Sequence, residues 1–248
     1  MEKQTPFKWL IEAINLHPSL ASEYIHISMS VIALAIITAL SIAVWKRAKV
    51  PEDHLLPDDR ASAINIFEVL ISALSRISED IIGPSYKRHL PIICIIFIYI
   101  LICNLMAVIP WVKPPTENIN TNLSVAIVVF VYYNIAGIRE LGFKGYFKSM
   151  SGPIVWIAPL MLAIEIVSHI VRPISLSIRL FGNIMGDHMV LGLFSELIPF
   201  VIPIIFMFMA IFIAFIQAFV FTLLSIIYIS LATGGLEQHH AKKVSDTF

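Results

Sequence analysis

Charged side chains are scarce in this sequence: Asp, Glu, Lys and Arg supply 14% of 248 residues, with 17 acids against 17 bases. Soluble domains carry about 25%, so a water-facing globule of this size is excluded. The zero net charge selects no class of partner, and no nucleic acid is expected as one. Cysteine is nearly absent. Cys94 and Cys103 lie nine residues apart in one apolar run, a spacing a rigid helix cannot bridge, so both read as small buried residues rather than a disulfide. The first residues lack a basic stretch and a small-residue cleavage site, so no secretory leader is expected. No internal repeat is visible, which argues against a transporter built from two halves.

Apolar residues are abundant instead, at 58% of the chain, with a mean hydropathy of +0.86. The expected fold is all-α: a polytopic membrane protein forming a single membrane domain over residues 1–248. After a polar and aromatic leader, Ile25–Trp45 reads as a span anchored by Trp45, Lys46, Arg47 and Lys49. Val50–Arg60 holds two prolines and four acids and reads as a loop. Ser62–Ile82 keeps apolar residues at helical spacing, with Glu68, Arg76, Glu79 and Asp80 on the other face. It reads as an amphipathic helix on the cytoplasmic surface, or as a helix packed on a soluble partner. Leu90–Pro110 is a second span and Leu123–Ile138 a short third one, stopped by Arg139.

The last two apolar runs, Ile154–Phe194 and Leu197–Thr233, are too long for upright spans. As helices they measure on the order of 55–60 Å, against a bilayer core of about 30 Å. Neither contains a charged turn midway, and only Ser195-Glu196 separates them. A hairpin of two long, strongly tilted helices is expected. With the N-terminus outside and five crossings, twelve Lys and Arg residues fall on the cytoplasmic side and three outside, leaving Arg172 and Arg179 in the membrane. The C-terminus is then cytoplasmic.

Those two arginines draw attention because a charge in hydrocarbon costs about 2.5–3.5 kcal/mol on insertion scales. It needs a partner, a wet cavity or a function. At 100° per residue, Glu165, Ser168, Arg172, Ser175, Arg179, Asn183 and Gly186 share one helical stripe. Asp187 follows, and His188, nine positions from Arg179, points to the opposite face. Arg179 has no acid within reach on its own helix and points to an external carboxylate. Arg172 precedes Pro173 and reads either as a structural, snorkelling cation or as part of a wet path. His188 reads either as a satisfied core histidine or as a proton relay, since imidazole titrates nearest neutrality. Asn183 and Gln217 suit interhelical hydrogen bonding. Gly182, Gly186, Ala210 and Ala214 permit close approach of another helix. Glu165 and His169 form an i, i+4 acid–imidazole pair that lacks a third ligand in register, so no metal site is expected.

The run SLSIRLFGN at Ser175–Asn183 resembles the signature of subunit a of F-type ATP synthases. The likeness extends through NLMAVIP at Asn104–Pro110, TENINTNLS at Thr116–Ser124 and IQAFVFTLLSIIYIS at Ile216–Ser230. It covers roughly Leu90–Leu231 in the family's order. The resemblance implies a non-catalytic, proton-translocating stator subunit of a bacterial inner-membrane complex, with no cofactor. Its implied partners are a c-subunit ring, peripheral stalk b subunits and the lipid bilayer.

Carried over by the resemblance, Arg179 is the essential arginine separating two offset half-channels, and Asn183 and Gln217 are its polar neighbours. Glu165, Arg172 and Ser175 fall on the inner half-channel, and His188 on the outer one. The family often places a His or Glu seven residues before the glutamine, where this sequence has Ala210. Asp187 or Glu196 is then expected to serve His188 instead. Two other classes compete: a secondary transporter binding an anionic solute at Arg179, and a membrane metalloenzyme using Glu165, His169, Asp187 and His188.

Overall fold

The computed structural model describes residues 25–48, 63–109, 112–151, 158–197 and 201–234. The leader, the 50–60 loop, the Pro110-Trp111 pair and the basic tail lie outside the described residues, as do the side chains of Trp45, Lys46, Arg47, Ser195 and Glu196. Six α-helices and one 3-10 turn make up the described chain, which contains no strand. The helices are α1 (Ile25–Ala48), α2 (Ala63–Ile82), α3 (Tyr86–Met106), α4 (Ile119–Ser151), α5 (Ala158–Leu197) and α6 (Val201–Thr233), with the 3-10 turn Pro115–Glu117 before α4. Helices are what apolar runs of this length must form in lipid, where only an internal ladder satisfies the backbone. Stretches of α3, α4, α5 and α6 are long and apolar enough to cross a membrane, and in α1 the stretch His26–Ile42 is apolar but shorter.

Helix α6 is the hub: α2, α3, α4 and α5 all pack on it, while α1 docks on α3 and the 3-10 turn. Phe97 and Ile100 of α3, Val129 and Tyr133 of α4, Leu180 of α5 and Phe221 and Ile229 of α6 form the buried core. Between membrane helices no water drives this association, so close packing and hydrogen bonds must hold it. Gly137 shows how tight it is. A Cβ there would sit 2.7 Å from the Ala232 carbonyl oxygen and 2.6 Å from the Tyr146 ring.

The amphipathic α2 buries Leu74, Ser78 and Ile82 against α3 and α6 of its own chain. Ser230 of α6 donates a hydrogen bond to the Ile81 carbonyl at 2.7 Å, tying the two helix ends together.

Boundaries of α3, α4 and α5 differ from the sequence expectation. Helix α3 begins at Tyr86 and ends at Met106, four residues earlier at each end than Leu90–Pro110. Helix α4 does not stop at Arg139. It continues because Glu140 is partnered by the buried His89, 3.4 Å away, while His89 also bonds Tyr132 at 2.9 Å. The break comes instead at Gly142, with φ 71 and ψ 161, a region open to glycine alone. Helix α5 runs through Ser195-Glu196 to Leu197, so those residues are helical and not the gap between the two long helices. At 40 and 33 residues, α5 and α6 measure about 60 and 50 Å.

Candidate functional site: two polar regions flanking Arg179

Arg179 lies on the exposed face of α5, and among the described residues no acid approaches it within salt-bridge distance. Ser175 and Asn183, one turn to either side, are exposed on the same stripe. A Cβ added at Gly182 or Gly186 would meet nothing within 4 Å. This face, small and polar around one cation, is therefore uncovered by the described residues.

Seven residues before Arg179, about 10 Å along the axis, begins a closed polar cluster. Arg172 donates to Glu165 Oε1 at 2.8 Å, two turns back on the same helix. His169 Nδ1 lies 3.2 Å from the same carboxylate and 3.0 Å from the Glu165 carbonyl. Its Nε2 sits 3.2 Å from the Tyr146 hydroxyl, which donates to Asn134 Oδ1 at 2.8 Å. Asn134 in turn donates its amide N–H to the Phe130 carbonyl at 2.7 Å. The Arg172 guanidinium also stands 5.2 Å from the centre of the Tyr228 ring, a cation–π distance.

Gly142 makes this cluster possible. Asn134 and Tyr146 are twelve residues apart, about 18 Å along a straight helix. Their 2.8 Å contact requires the chain to fold back at the break.

Arg172 is thus paired with an acid of its own helix. It also uses up the carboxylate of the Glu165–His169 pair. Among the described residues no group of three metal-binding side chains exists, so the metalloenzyme ligand set of Glu165, His169, Asp187 and His188 does not assemble.

Beyond Arg179 the character changes. A cavity of about 190 Å³ opens between α3, α5 and α6, lined by Asn104, Asn183, Asp187, His188, Ala210 and Gln217 among apolar neighbours. Asn183 donates to Gln217 Oε1 at 2.7 Å, linking α5 to α6. Gln217 is buried and Asn183 is on the exposed face, so this bond runs from the Arg179 stripe into the protein. His188 lines the same cavity as Asn183, and Arg179 does not.

Asn104 is 3% exposed, yet neither its amide oxygen nor its nitrogen has a hydrogen-bond partner among the described residues. A buried amide without a protein partner marks a site for water or a mobile group.

The partner of His188 is one that sequence reasoning missed. Glu117 of the 3-10 turn places Oε1 3.9 Å from His188 Nδ1. The imidazole beside it, helped by Lys113, holds the Glu117 carboxyl below its ordinary range against the opposing effect of burial. Asp187 lines the cavity without an ion pair to His188, and the Glu196 side chain lies outside the described residues. Asn104 was equally missed. The available signal was a lone asparagine in an apolar run, which burial makes costly unless it is used.

The family model described as "ATP synthase A chain" matches residues 27–230. The chain is 40% identical over 228 residues to "ATP synthase subunit a" of Bdellovibrio bacteriovorus, covering 91% of this chain and 97% of that protein. It is 39% identical over 238 residues to "ATP synthase subunit a 1" of Syntrophotalea carbinolica, covering 94% and 97%. With "ATP synthase subunit a" of Geobacter sulfurreducens it shares 40% identity over 176 residues, 71% of this chain and 75% of that one. Helical composition, the polar stripe around Arg179 and these matches agree: the chain belongs to the ATP synthase A chain family.

Proposed function

We propose that this chain is the non-catalytic, proton-translocating stator subunit of a bacterial inner-membrane ATP synthase, and that Arg179 separates its two half-channels. The observation that carries this reading is the position of Arg179, exposed and without an acid partner among the described residues, between two polar regions on one helix. The uncovered face at Gly182 and Gly186 fits a partner helix carrying a carboxylate, one from each subunit of a c ring. The peripheral stalk b subunits would bind elsewhere on the stator. The N-terminus is outside and the C-terminus cytoplasmic, on the distribution of Lys and Arg.

A carboxylate facing lipid is protonated, because desolvation raises its pKa. Beside Arg179 the fixed cation favours the anion, and the proton leaves through the inner path past Ser175, Arg172 and Glu165. Beyond Arg179 the carboxylate is reloaded from the outer cavity, where Asn183, Asp187, His188, Gln217 and Asn104 supply polar groups. The guanidinium also repels a hydronium that would pass straight between the two regions. Each proton crossing 100 mV delivers about 2.3 kcal/mol, so several must add to drive one ATP. Family membership leaves the anion-transporter reading of Arg179 without support.

The test is proton-driven ATP synthesis by the complete complex reconstituted in vesicles. Arg179→Gln is expected to assemble and to lose synthesis by more than about hundredfold, equivalent to about 2.7 kcal/mol on the barrier. Arg179→Lys is expected to fail as well, since burial neutralises lysine but not arginine. Substantial synthesis by an assembled Arg179→Gln complex would overturn the mechanism.

A further inference from the structure

We propose that Glu117, in the 3-10 turn between α3 and α4, is the outer carboxylate that passes protons to His188, in place of a relay group on α6. The inference rests on the half-channel reading above. On α6 the residue lining the cavity with His188 is Ala210, which carries no ionisable group. The ionisable group that meets the imidazole from another element is Glu117, at 3.9 Å from Nδ1. Glu117 does not line the cavity and His188 does, so the imidazole has the carboxylate at one nitrogen and the cavity available to the rest of the ring. Both side chains are about one-third exposed, 30% for Glu117 and 32% for His188. The pair therefore reaches the surface as well as the interior.

The turn that carries Glu117 is fixed on every side. Pro114, Pro115 and Thr116 are buried. The buried Asn122 donates to the Thr116 carbonyl at 2.8 Å. Asn118 Oδ1 accepts from the Asn120 N–H at 2.9 Å, which turns its Nδ2 toward His26 Nδ1 of α1, 3.3 Å away. The Glu117 N–H bonds back to the Pro114 carbonyl at 3.1 Å. A backbone held by three neighbours presents its one acidic side chain to a fixed place, which is what proton transfer requires.

In the proposed step an outer proton is drawn to Glu117 Oε1 and moves to His188 Nδ1, returning the carboxylate to its anion. The imidazolium releases its Nε2 proton into the cavity toward Asn183 and the ring carboxylate. Proton exchange with water in the cavity then moves the remaining proton from Nδ1 to Nε2 and restores the starting tautomer. No bond other than O–H and N–H changes. The 3.9 Å contact closes to transfer distance by side-chain rotation of about 1 Å.

The experiment uses the assembled complex in vesicles and measures passive proton flux and ATP synthesis, normalised to assembled protein. Glu117→Gln is expected to lower flux at least about tenfold, a modest share of what general acid–base transfer contributes. Glu117→Asp should recover most of it. Adding Ala210→Glu to Glu117→Gln should also recover flux, because position 210 lines the cavity that His188 enters. Flux within twofold of wild type in Glu117→Gln overturns the proposal. So does loss of flux that neither Glu117→Asp nor Ala210→Glu repairs, or failure of Glu117→Gln to assemble, since each makes Glu117 a structural tether. Arg179→Gln measured alongside separates the two readings. If it retains synthesis, the half-channel reading fails whatever Glu117 does; if it loses synthesis while Glu117→Gln behaves as wild type, Glu117 alone is excluded.

Discussion

The two polar regions on either side of Arg179 are built on opposite principles. The Glu165–His169–Arg172 cluster is closed: its carboxylate contacts two bases, its imidazole meets a tyrosine, and that tyrosine is fixed by an asparagine. The region around His188 is open, with a cavity, a buried amide lacking a partner among the described residues, and a 3.9 Å ion contact. Fully satisfied polar networks rigidify a fold, whereas half-satisfied ones leave room for water and for exchange of partners. The first region should therefore matter more to stability and the second more to flux.

Glu165→Gln tests the closed side and carries the largest expected effect on stability. It removes the charge from two contacts, and charge-assisted bonds contribute about 1.5–3 kcal/mol each. Arg172 keeps the Tyr228 face. Thermal unfolding of the detergent-solubilised complex should show the loss, and an unchanged midpoint would mean that the cluster is not structural.

Gly142→Ala probes the same region through its backbone. The conformation at φ 71, ψ 161 costs a residue with a Cβ about 1–3 kcal/mol. The expected outcome is a lower unfolding midpoint and release of Tyr146 from His169. Thermal unfolding of the Gly142→Ala complex in detergent, with Tyr146 left in place, measures the loss, and an unchanged midpoint would mean that the break is not required.

Asn104→Leu acts on the open side and should have the smallest effect on stability. It replaces an amide with no partner among the described residues by an apolar group of similar size, a change expected within about 1 kcal/mol of neutral, since no hydrogen bond to those residues is lost. Proton flux should nevertheless fall several-fold, because a polar wall of the cavity is gone. A destabilisation matching that of Glu165→Gln would erase the distinction between the regions.

How far the sequence foretold the site depends on the kind of relationship involved. The stripe from Glu165 to Gly186 was legible, because helical period is local and α5 runs unbroken through Pro173. The Asn183–Gln217 bond was suggested by type but not by pairing, since two helices can meet in many registers. The salt bridge of Arg172 with Glu165 was missed although both lie on that stripe, because seven residues of rise are spanned only by two extended side chains. Glu117 was hidden for a different reason. It lies in a non-helical turn 71 positions from His188, where no periodicity relates the two.

By itself the sequence determined the all-helical membrane class, the excess length of the last two helices and the isolation of Arg179 from acids of its own helix. These follow from hydropathy, rise per residue and angular period, each a property of one segment. The tertiary structure alone decided where α4 breaks, which carboxylate meets which base, and that Asn104 is buried without a hydrogen-bond partner among the described residues. Those depend on the crossing of helices far apart in the chain, where a shift of one turn, about 5.4 Å, would exchange every partner.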